Sequence, residues 1–187
     1  MSLLQVIASG VWLMLPSLVP NSGAVLFGGG TPIDFGRIWR GKRILGDGKT
    51  WRGFLGGTLL GILVGLLQLF AASFYDSVDY FGFGPYPSCV GIVILLAVGS
   101  LLGDMAGSFV KRRLDIGRGK KAPILDQYNF LIGSIVLVLL FNPNWFIAHF
   151  IEGENILALV TIVVVTPILH RTVNIIGYKV GKKQVPW

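Results

Sequence analysis

The chain contains several long apolar runs, and these runs restrict the folds open to it more than any other feature. Each approaches or exceeds the ~20 residues that an α-helix needs to cross a bilayer. Charged residues make up 13% of the sequence, against about 25% in soluble domains, and the mean hydropathy is +0.71. We therefore predict an all-α polytopic membrane protein that forms one integral membrane domain over residues 1–187. Five transmembrane helices fit the runs: about Leu3–Val19, Phe54–Phe74, Val90–Leu114, Leu125–Phe146 and Ile156–Tyr178.

The 16 Lys and Arg residues are distributed unevenly and form three groups: Arg37–Arg52, Lys111–Lys121 and Arg171–Lys183. The segments Tyr75–Ser88 and Asn142–Asn155 contain only acidic charges, Asp76 and Asp79 among them. This asymmetry follows the positive-inside rule of membrane proteins. It predicts a multi-pass cell-membrane protein with the N-terminus outside, the C-terminus in the cytoplasm, and two long basic cytoplasmic loops at about 21–53 and 112–125.

The same grouping argues against nucleic acid as the reason for the net charge of +7. Basic loops at one membrane surface suit anionic ligands such as phosphates or acidic lipid head groups. We therefore expect membrane lipids and phosphates as partners and no nucleic acid, and the sequence leaves the oligomeric state open.

A carboxylate, Asp104, lies inside the third apolar run. Ser100, Ser108, Lys111 and Asp115 recur around it every three or four residues, so that one helix would carry them as a polar stripe. Asp104 precedes Lys111 by seven residues, roughly 10 Å along a helix. A charge at that depth costs several kcal/mol unless it meets a cation, a partner or water, which makes it a candidate functional residue. The alternative is a structural ion pair with Lys111 or with a base from another span.

The first predicted loop, residues 21–53, is rich in glycine and basic residues. It reads NSGAVLFGGGTPIDFGRIWRGKRILGDGKTWRG, which we interpret as too glycine-rich for a regular helix and too long for a simple connector. Backbone N–H groups freed by glycine can cradle an anion, so we predict a phosphate site here. A solvated basic loop that holds lipid head groups is the alternative.

The second predicted loop leads to another carboxylate, Asp126, which shares a helix face with Asn129. Asp104 and Asp126 would lie on neighbouring antiparallel helices and could converge on one cation. Carboxylate oxygens without a His or Cys cluster favour Mg²⁺, which is usually held by one or two carboxylates and by substrate phosphates. The arrangement suits phosphoryl or nucleotidyl transfer between a lipid and a water-soluble substrate.

Glycine recurs at every fourth position in the second and third spans, at Gly53, Gly57, Gly61 and Gly65 and at Gly99, Gly103 and Gly107. Small residues at this spacing let helix backbones approach closely in lipid. We predict that these two spans pack tightly and bring Asp104 near the first loop.

Two blocks of the sequence resemble the archaeal CDP-archaeol synthases (CTP:2,3-di-O-geranylgeranyl-sn-glycero-1-phosphate cytidylyltransferases). One is the first loop, with Asn21, GGGTPIDFG at 28–36 and RILGDGKTWRG at 43–53; the other is GDMAGSFVKRRLD at 103–115. The second block is also similar to the CDP-diacylglycerol synthase signature, through Gly103, Asp104, Ser108, Lys111, Arg112, Pro123 and Asp126. The chain departs from that signature at Gln127 and Asn129, where an arginine and a second aspartate are expected, and it lacks the His-Gly-Gly of the longer family.

The resemblance implies a Mg²⁺-dependent cytidylyltransferase of phospholipid biosynthesis, with its active site facing the cytoplasm. It would move CMP from CTP to an isoprenoid ether-lipid phosphate, unsaturated archaetidic acid, to give CDP-archaeol and pyrophosphate. The implied catalytic residues are Asp104, Lys111, Arg112 and Asp126, of which the two aspartates would also bind the metal. The implied nucleotide contacts are Asn21, Asp34, Asp47, Gly48, Lys49, Thr50, Arg52 and Ser108. A second cation stays open, as does the choice between a metal-binding and a loop-ordering role for Asp47.

Two other classes of protein share some of these features. A small membrane transporter or channel with an acidic ion site would also bury Asp104, although it would not need two large basic loops on one side. A lipid-binding structural protein would explain the basic loops but not the acidic pair.

Overall fold

The computed structural model describes residues 2–74, 81–117 and 120–181, so Asp76, Asp79, Arg118 and the last two lysines lie outside the described residues. The described chain is mostly helical and adds one short hairpin to the predicted helices. The helices are α1 Leu3–Leu18, α2 Pro20–Phe27, α3 Trp51–Ala72, α4 Ser88–Arg113, α5 Pro123–Phe141, α6 Pro143–Phe150 and α7 Ile156–Lys179, with a 3-10 turn at Gly153–Asn155. The hairpin is β1 Ile38–Trp39 paired antiparallel with β2 Lys42–Arg43.

Five helical stretches among the described residues are long and apolar enough to cross a membrane. They are Leu3–Phe27, Trp51–Ala72, Ser88–Arg113, Pro123–Phe141 and Gly153–Lys179. The prediction of five spans in a multi-pass membrane protein is confirmed at this level of length and composition.

Three predicted boundaries differ from the structure. The first span continues through α2 to Phe27, because Pro20 occupies the first turn of α2, where its missing N–H costs no helical bond. Asn21 is therefore helical, and the glycine-rich loop begins at Gly28 rather than at residue 21. The fourth span ends at Phe141, since Pro143 starts the separate helix α6. The second loop is also shorter than predicted, because α4 extends to Arg113 and α5 begins at Pro123.

The glycines bring α4 into close contact with helices on two sides. A Cβ added at Gly57 or Gly61 of α3 would lie 3.0 Å from Leu101 or Ala97 of α4, respectively, which confirms the tight packing of the second and third spans. The α4 glycines face α5 instead, and a Cβ at Gly99 would lie 2.7 Å from the Cα of Ser134. The α4 glycines thus hold α4 and α5 at backbone contact, whereas the α3 glycines make room for side chains of α4.

Buried hydroxyl groups join α1, α4 and α5 in the apolar interior. Ser100 Oγ donates to the carbonyl of Ser17 (2.7 Å), and Ser134 Oγ donates to the carbonyl of Leu96 (2.8 Å). The hydroxyls of Ser17 and Ser134 lie 2.7 Å apart. Ser100, the first residue of the predicted polar stripe, therefore satisfies a buried carbonyl in the helix bundle.

Candidate active site

The loop between α2 and α3 is ordered around the buried carboxylate of Asp34. This side chain is 1% exposed and accepts hydrogen bonds from Arg43 Nη2 (2.8 Å), from the N–H groups of Leu45 and Gly46 (2.9 Å each) and from that of Gly36 (3.1 Å). Burial raises the pKa of Asp34, but the Arg43 guanidinium and the three N–H groups outweigh it and hold the pKa well below its ordinary value. The geometry favours a loop-ordering role over the predicted nucleotide contact for Asp34.

Replacing Asp34 by asparagine is expected to loosen this loop. The Leu45 and Gly46 N–H groups lose a charged acceptor, so their hydrogen exchange should accelerate by about 10- to 100-fold. Because the folded pKa is depressed, the stabilisation is present above the ordinary carboxyl pKa of about 4 and is lost as the pH falls below it. Protection factors measured at both amides against pH should show this loss in the wild type and not in Asp34→Asn.

A matched control for this experiment is Asp47→Asn. The carboxylate of Asp47 is 62% exposed and pairs with Arg43 Nη1 at 2.8 Å, and the Leu45 and Gly46 N–H groups both donate to Asp34. Equal loss of protection in the two variants would contradict the central role of Asp34. For Asp47 itself, the ion pair with Arg43 favours a loop-ordering role over a metal-binding role, the two that the sequence left open.

The ordered loop lies over the last turns of α4 and encloses a cavity of about 440 Å³. Four of the lining side chains are basic and one is acidic, so the cavity suits an anionic ligand. Arg112 of α4 connects this helix to the loop, because its Nε donates to the carbonyl of Leu45 (3.4 Å). Its Nη1 donates to the carbonyl of Ile116, just beyond α4 (2.7 Å). The lining residues are Arg43, Leu45, Gly46, Asp47, Gly48, Lys49, Ser108, Lys111 and Arg112.

Two lysines of the cavity pair with the two predicted metal-binding carboxylates. Lys49 Nζ forms an ion pair with Asp104 Oδ2, and Asn129 Nδ2 lies 3.5 Å from Asp104 Oδ1. Lys111 Nζ lies 2.7 Å from Asp126 Oδ1, and the other oxygen of Asp126 accepts from the Ala122 N–H (2.9 Å). Asp104 and Asp126 therefore each form an ion pair with a lysine. The lysine that pairs with Asp104 comes from the first loop rather than from the helix of Asp104.

Other predicted site residues are not among those that line the cavity. Thr50 caps α3 by accepting the N–H of Gly53 (3.2 Å), directly after Lys49 in the chain. Asn21 lies in α2 and Arg52 in the first turn of α3. Asp115, the last member of the predicted stripe, lies beyond α4 and pairs with Lys42 at 2.5 Å.

The sequence reasoning did not single out Arg43 as a site residue. Its guanidinium bridges Asp34 and Asp47 while it lines the cavity. The available signal was its position at the start of the second glycine-rich segment of the first loop, which contains five other basic residues. Its two acidic partners depend on the fold of the loop and were not evident from spacing.

Five apolar spans and a cavity with four basic lining side chains are the features of a membrane protein suited to an anionic ligand. The family model of the CarS-like CDP-archaeol synthases matches residues 3–187. The CDP-archaeol synthase of Methanospirillum hungatei is 51% identical over 177 residues, covering 93% of this chain and 100% of that protein. The one from Archaeoglobus fulgidus is 43% identical over 186 residues, with 99% and 100% coverage.

A solved structure, described as an intramembrane enzyme for archaeal membrane lipid biosynthesis, has the same overall fold. Its TM-score is 0.62 at 34% sequence identity, and the match covers 84% of this chain and 93% of that one. The chain belongs to the CDP-archaeol synthase family.

Proposed function

We propose that the chain transfers CMP from CTP to an unsaturated archaeal ether-lipid phosphate and releases pyrophosphate. Family membership over residues 3–187 supports this activity and favours it over a transporter, a channel or a lipid-binding structural protein. The observation that carries the assignment is the cavity whose lining lysines, Lys49 and Lys111, form ion pairs with Asp104 and Asp126 just outside the lining. It puts four cations for a triphosphate beside two carboxylates, at the end of a membrane span where a lipid phosphate would lie.

The cavity is assigned to the cytoplasmic surface, where CTP is available. The Lys and Arg residues are concentrated on the side of this cavity, as the positive-inside rule requires of cytoplasmic segments. With five spans, the N-terminus then lies outside and the C-terminus in the cytoplasm.

Asp104 and Asp126 are the proposed ligands of Mg²⁺. No group of three His, Cys, Asp or Glu residues that could hold a metal ion occurs among the residues described. This donor set fits Mg²⁺, which needs only one or two carboxylates when phosphates and water complete its shell. When bound, the ion would neutralise the negative charge that develops on the phosphates during transfer. Asn129 stands where the related signature has a second aspartate, which favours a single cation.

The reaction is an in-line displacement at the α-phosphorus of CTP. A lipid phosphate oxygen forms the new bond to this phosphorus, the bond to the α–β bridging oxygen breaks, and pyrophosphate leaves with the electron pair. Lys49 and Lys111 move from their carboxylates to phosphate oxygens, and Arg43 and Arg112 neutralise the leaving group. The Ser108 hydroxyl and the N–H of Gly48 donate further hydrogen bonds to the phosphates.

The direct test uses purified protein in detergent with radiolabelled CTP, Mg²⁺ and digeranylgeranylglyceryl phosphate, with diacyl phosphatidic acid assayed in parallel. We expect label to enter the organic phase with the ether lipid and to stop doing so when the metal is chelated. Label in both lipids would support the transfer reaction but show that the enzyme does not select ether lipids over ester lipids. A folded protein that labels neither lipid would overturn the proposed function.

Truncating Lys49 should affect the nucleotide more than the lipid. Lys49→Ala removes a charge-assisted bond to the triphosphate, and we expect the KM for CTP to rise by about 10- to 100-fold with a smaller change for the lipid. Steady-state kinetics with each substrate varied in turn measures the difference. The control is Lys120→Ala, since the side chain of Lys120 is exposed and lies outside the cavity lining. Equal losses for both substrates would count against a nucleotide contact.

A further inference from the structure

The β1–β2 hairpin is fastened to the last two turns of α4. The ring of Trp39 stacks on that of Phe109, with centroids 5.8 Å apart and planes at 22°. The guanidinium of Arg113 lies 5.0 Å from the Trp39 centroid and 5.3 Å from that of Phe109. Arg113 also donates to the main-chain carbonyls of Trp39 (2.5 Å), Lys42 (3.1 Å) and Arg43 (2.8 Å). The hairpin therefore packs against the end of this membrane span.

The hairpin covers the side of α4 that faces lipid. Phe109 follows Leu102 by seven residues, close to two helical turns, so both lie on one face. Leu102 is 40% exposed, whereas Leu101 faces α3 and Gly107 faces α5. Phe109 thus belongs to the apolar surface of the span, and Trp39 extends this surface at the end of the helix.

Around Trp39 the hairpin exposes an unusual amount of apolar surface. Trp39 is 45% exposed, and Phe35, Ile38 and Leu114 are between 60% and 67% exposed. Isolated exposed apolar residues are common, but several of them at the end of a membrane span mark a region that contacts lipid or protein. Arg37 and Arg40 are also exposed within this group, and the Arg40 guanidinium lies 4.9 Å from the Trp39 centroid.

We infer that residues 35–40 form an interfacial anchor. Phe35, Ile38 and Trp39 enter the boundary between head groups and acyl chains in the leaflet beside the cavity, and Arg37 and Arg40 bind the phosphates of anionic lipids there. An aromatic residue with flanking arginines is the combination that lies stably at this depth. Lipid is favoured over a protein partner because the apolar surface continues that of a span and the charges complement an anionic leaflet.

The anchor bears on the site through Arg43. This residue belongs to β2, and its guanidinium lines the cavity and holds Asp34 and Asp47. The position of the hairpin in the leaflet therefore fixes the height of one cavity wall relative to the lipid phosphates. It follows that the anionic lipid content of the membrane influences the order of the first loop.

The test measures the depth of position 38 directly and does not depend on catalysis. The only cysteine, the buried Cys89, is replaced by alanine, and Ile38→Cys carries a nitroxide in the full chain in lipid nanodiscs. Collision with oxygen should exceed collision with a water-soluble nickel chelate, as it does for a label at Leu102→Cys. A label at Lys120→Cys supplies the aqueous reference. An aqueous value at position 38 would overturn the anchor.

The lipid selectivity is tested in nanodiscs of phosphatidylcholine with and without phosphatidylglycerol. Phosphatidylglycerol should raise the ratio of lipid-immersed to aqueous label, and replacing Arg37 and Arg40 by glutamine should lower that ratio by about fivefold for each arginine. Immersion that is insensitive to both changes would overturn the head-group part of the proposal. Spin–spin broadening between the labels of two chains, together with a low rate of collision with oxygen, would show that the surface contacts a second copy of the chain. This result would overturn the anchor.

Discussion

Replacing Asp104 by asparagine is expected to reduce CMP transfer by at least about 100-fold, the usual cost of removing one charge-stabilising group from an active site. The substitution preserves shape but removes the charge that pairs with Lys49 and is proposed to hold the metal. Binding of CTP should also weaken, because Lys49 loses the carboxylate that positions its ammonium group before the nucleotide binds. The assay is label transfer at saturating lipid, with the thermal unfolding of the purified variant recorded in parallel.

The matched control for Asp104→Asn is Asp115→Asn. Asp115 was predicted on the same polar stripe, but its carboxylate is 78% exposed and pairs with Lys42 outside the cavity lining. Its φ of 58° is one that asparagine tolerates well, so the backbone should be preserved. Activity close to wild type is expected. A folded Asp104→Asn variant with normal turnover would refute the metal assignment.

The second large effect is expected for Gly103→Ala, a change of one methyl group at the closest contact of α4 with α5. A Cβ at this position would overlap the carbonyl oxygen of Asn129 and lie 2.9 Å from the Cα of Gly133, and neither backbone atom can move without separating the helices. We expect a loss of about 3 kcal/mol, the upper part of the usual range for overpacking. Activity should fall as well, because this contact sets the position of Asp104 relative to Asp126. Thermal unfolding in detergent and label transfer measure the two effects.

Gly91→Ala provides the control on the same helix. A Cβ at Gly91 has no neighbour within 4 Å, so the substitution should be neutral or slightly stabilising through the higher helix propensity of alanine. A similar loss of stability in both variants would mean that glycine acts through the helix itself and not through the α4–α5 contact.

Much of the fold follows from local properties of the sequence. The apolar runs locate the five spans because a bilayer requires a minimum helix length and few charges, and the largest differences from the predicted ends lie next to Pro20 and Pro143. The glycine spacing indicates close packing and brings Asp104 near the first loop, where Lys49 reaches it. The spacing did not show that the α4 glycines contact α5. A row of glycines marks a helix face that packs closely, but not which neighbouring helix lies against that face.

The interior of the first loop was less predictable, for a physical reason. Its order depends on one buried carboxylate, Asp34, that collects donors from residues two to twelve positions away. Sequence spacing marks turns and charges, but it does not show which acid becomes buried among several in a glycine-rich segment. The role of Arg43 follows from the same network.

The pairing of both carboxylates with lysines has a consequence for the order of binding. In the structure, Lys49 and Lys111 occupy the oxygens that a cation would use on Asp104 and Asp126. A triphosphate offers these lysines alternative partners and brings further oxygen ligands for the metal. Metal and nucleotide should therefore bind cooperatively, each increasing the affinity for the other by the same factor.

The most direct measurement is electron–nuclear double resonance on Mn²⁺ in place of Mg²⁺, with CTP bound and the aspartates labelled with ¹³C in their carboxyl groups. We expect one Mn²⁺ to couple both to ³¹P of the nucleotide and to aspartate ¹³C, and Asp104→Asn to weaken the ¹³C coupling. Without CTP, the protein should retain little Mn²⁺. A ³¹P coupling with no aspartate coupling in the wild type would show that the metal lies elsewhere and would contradict the account.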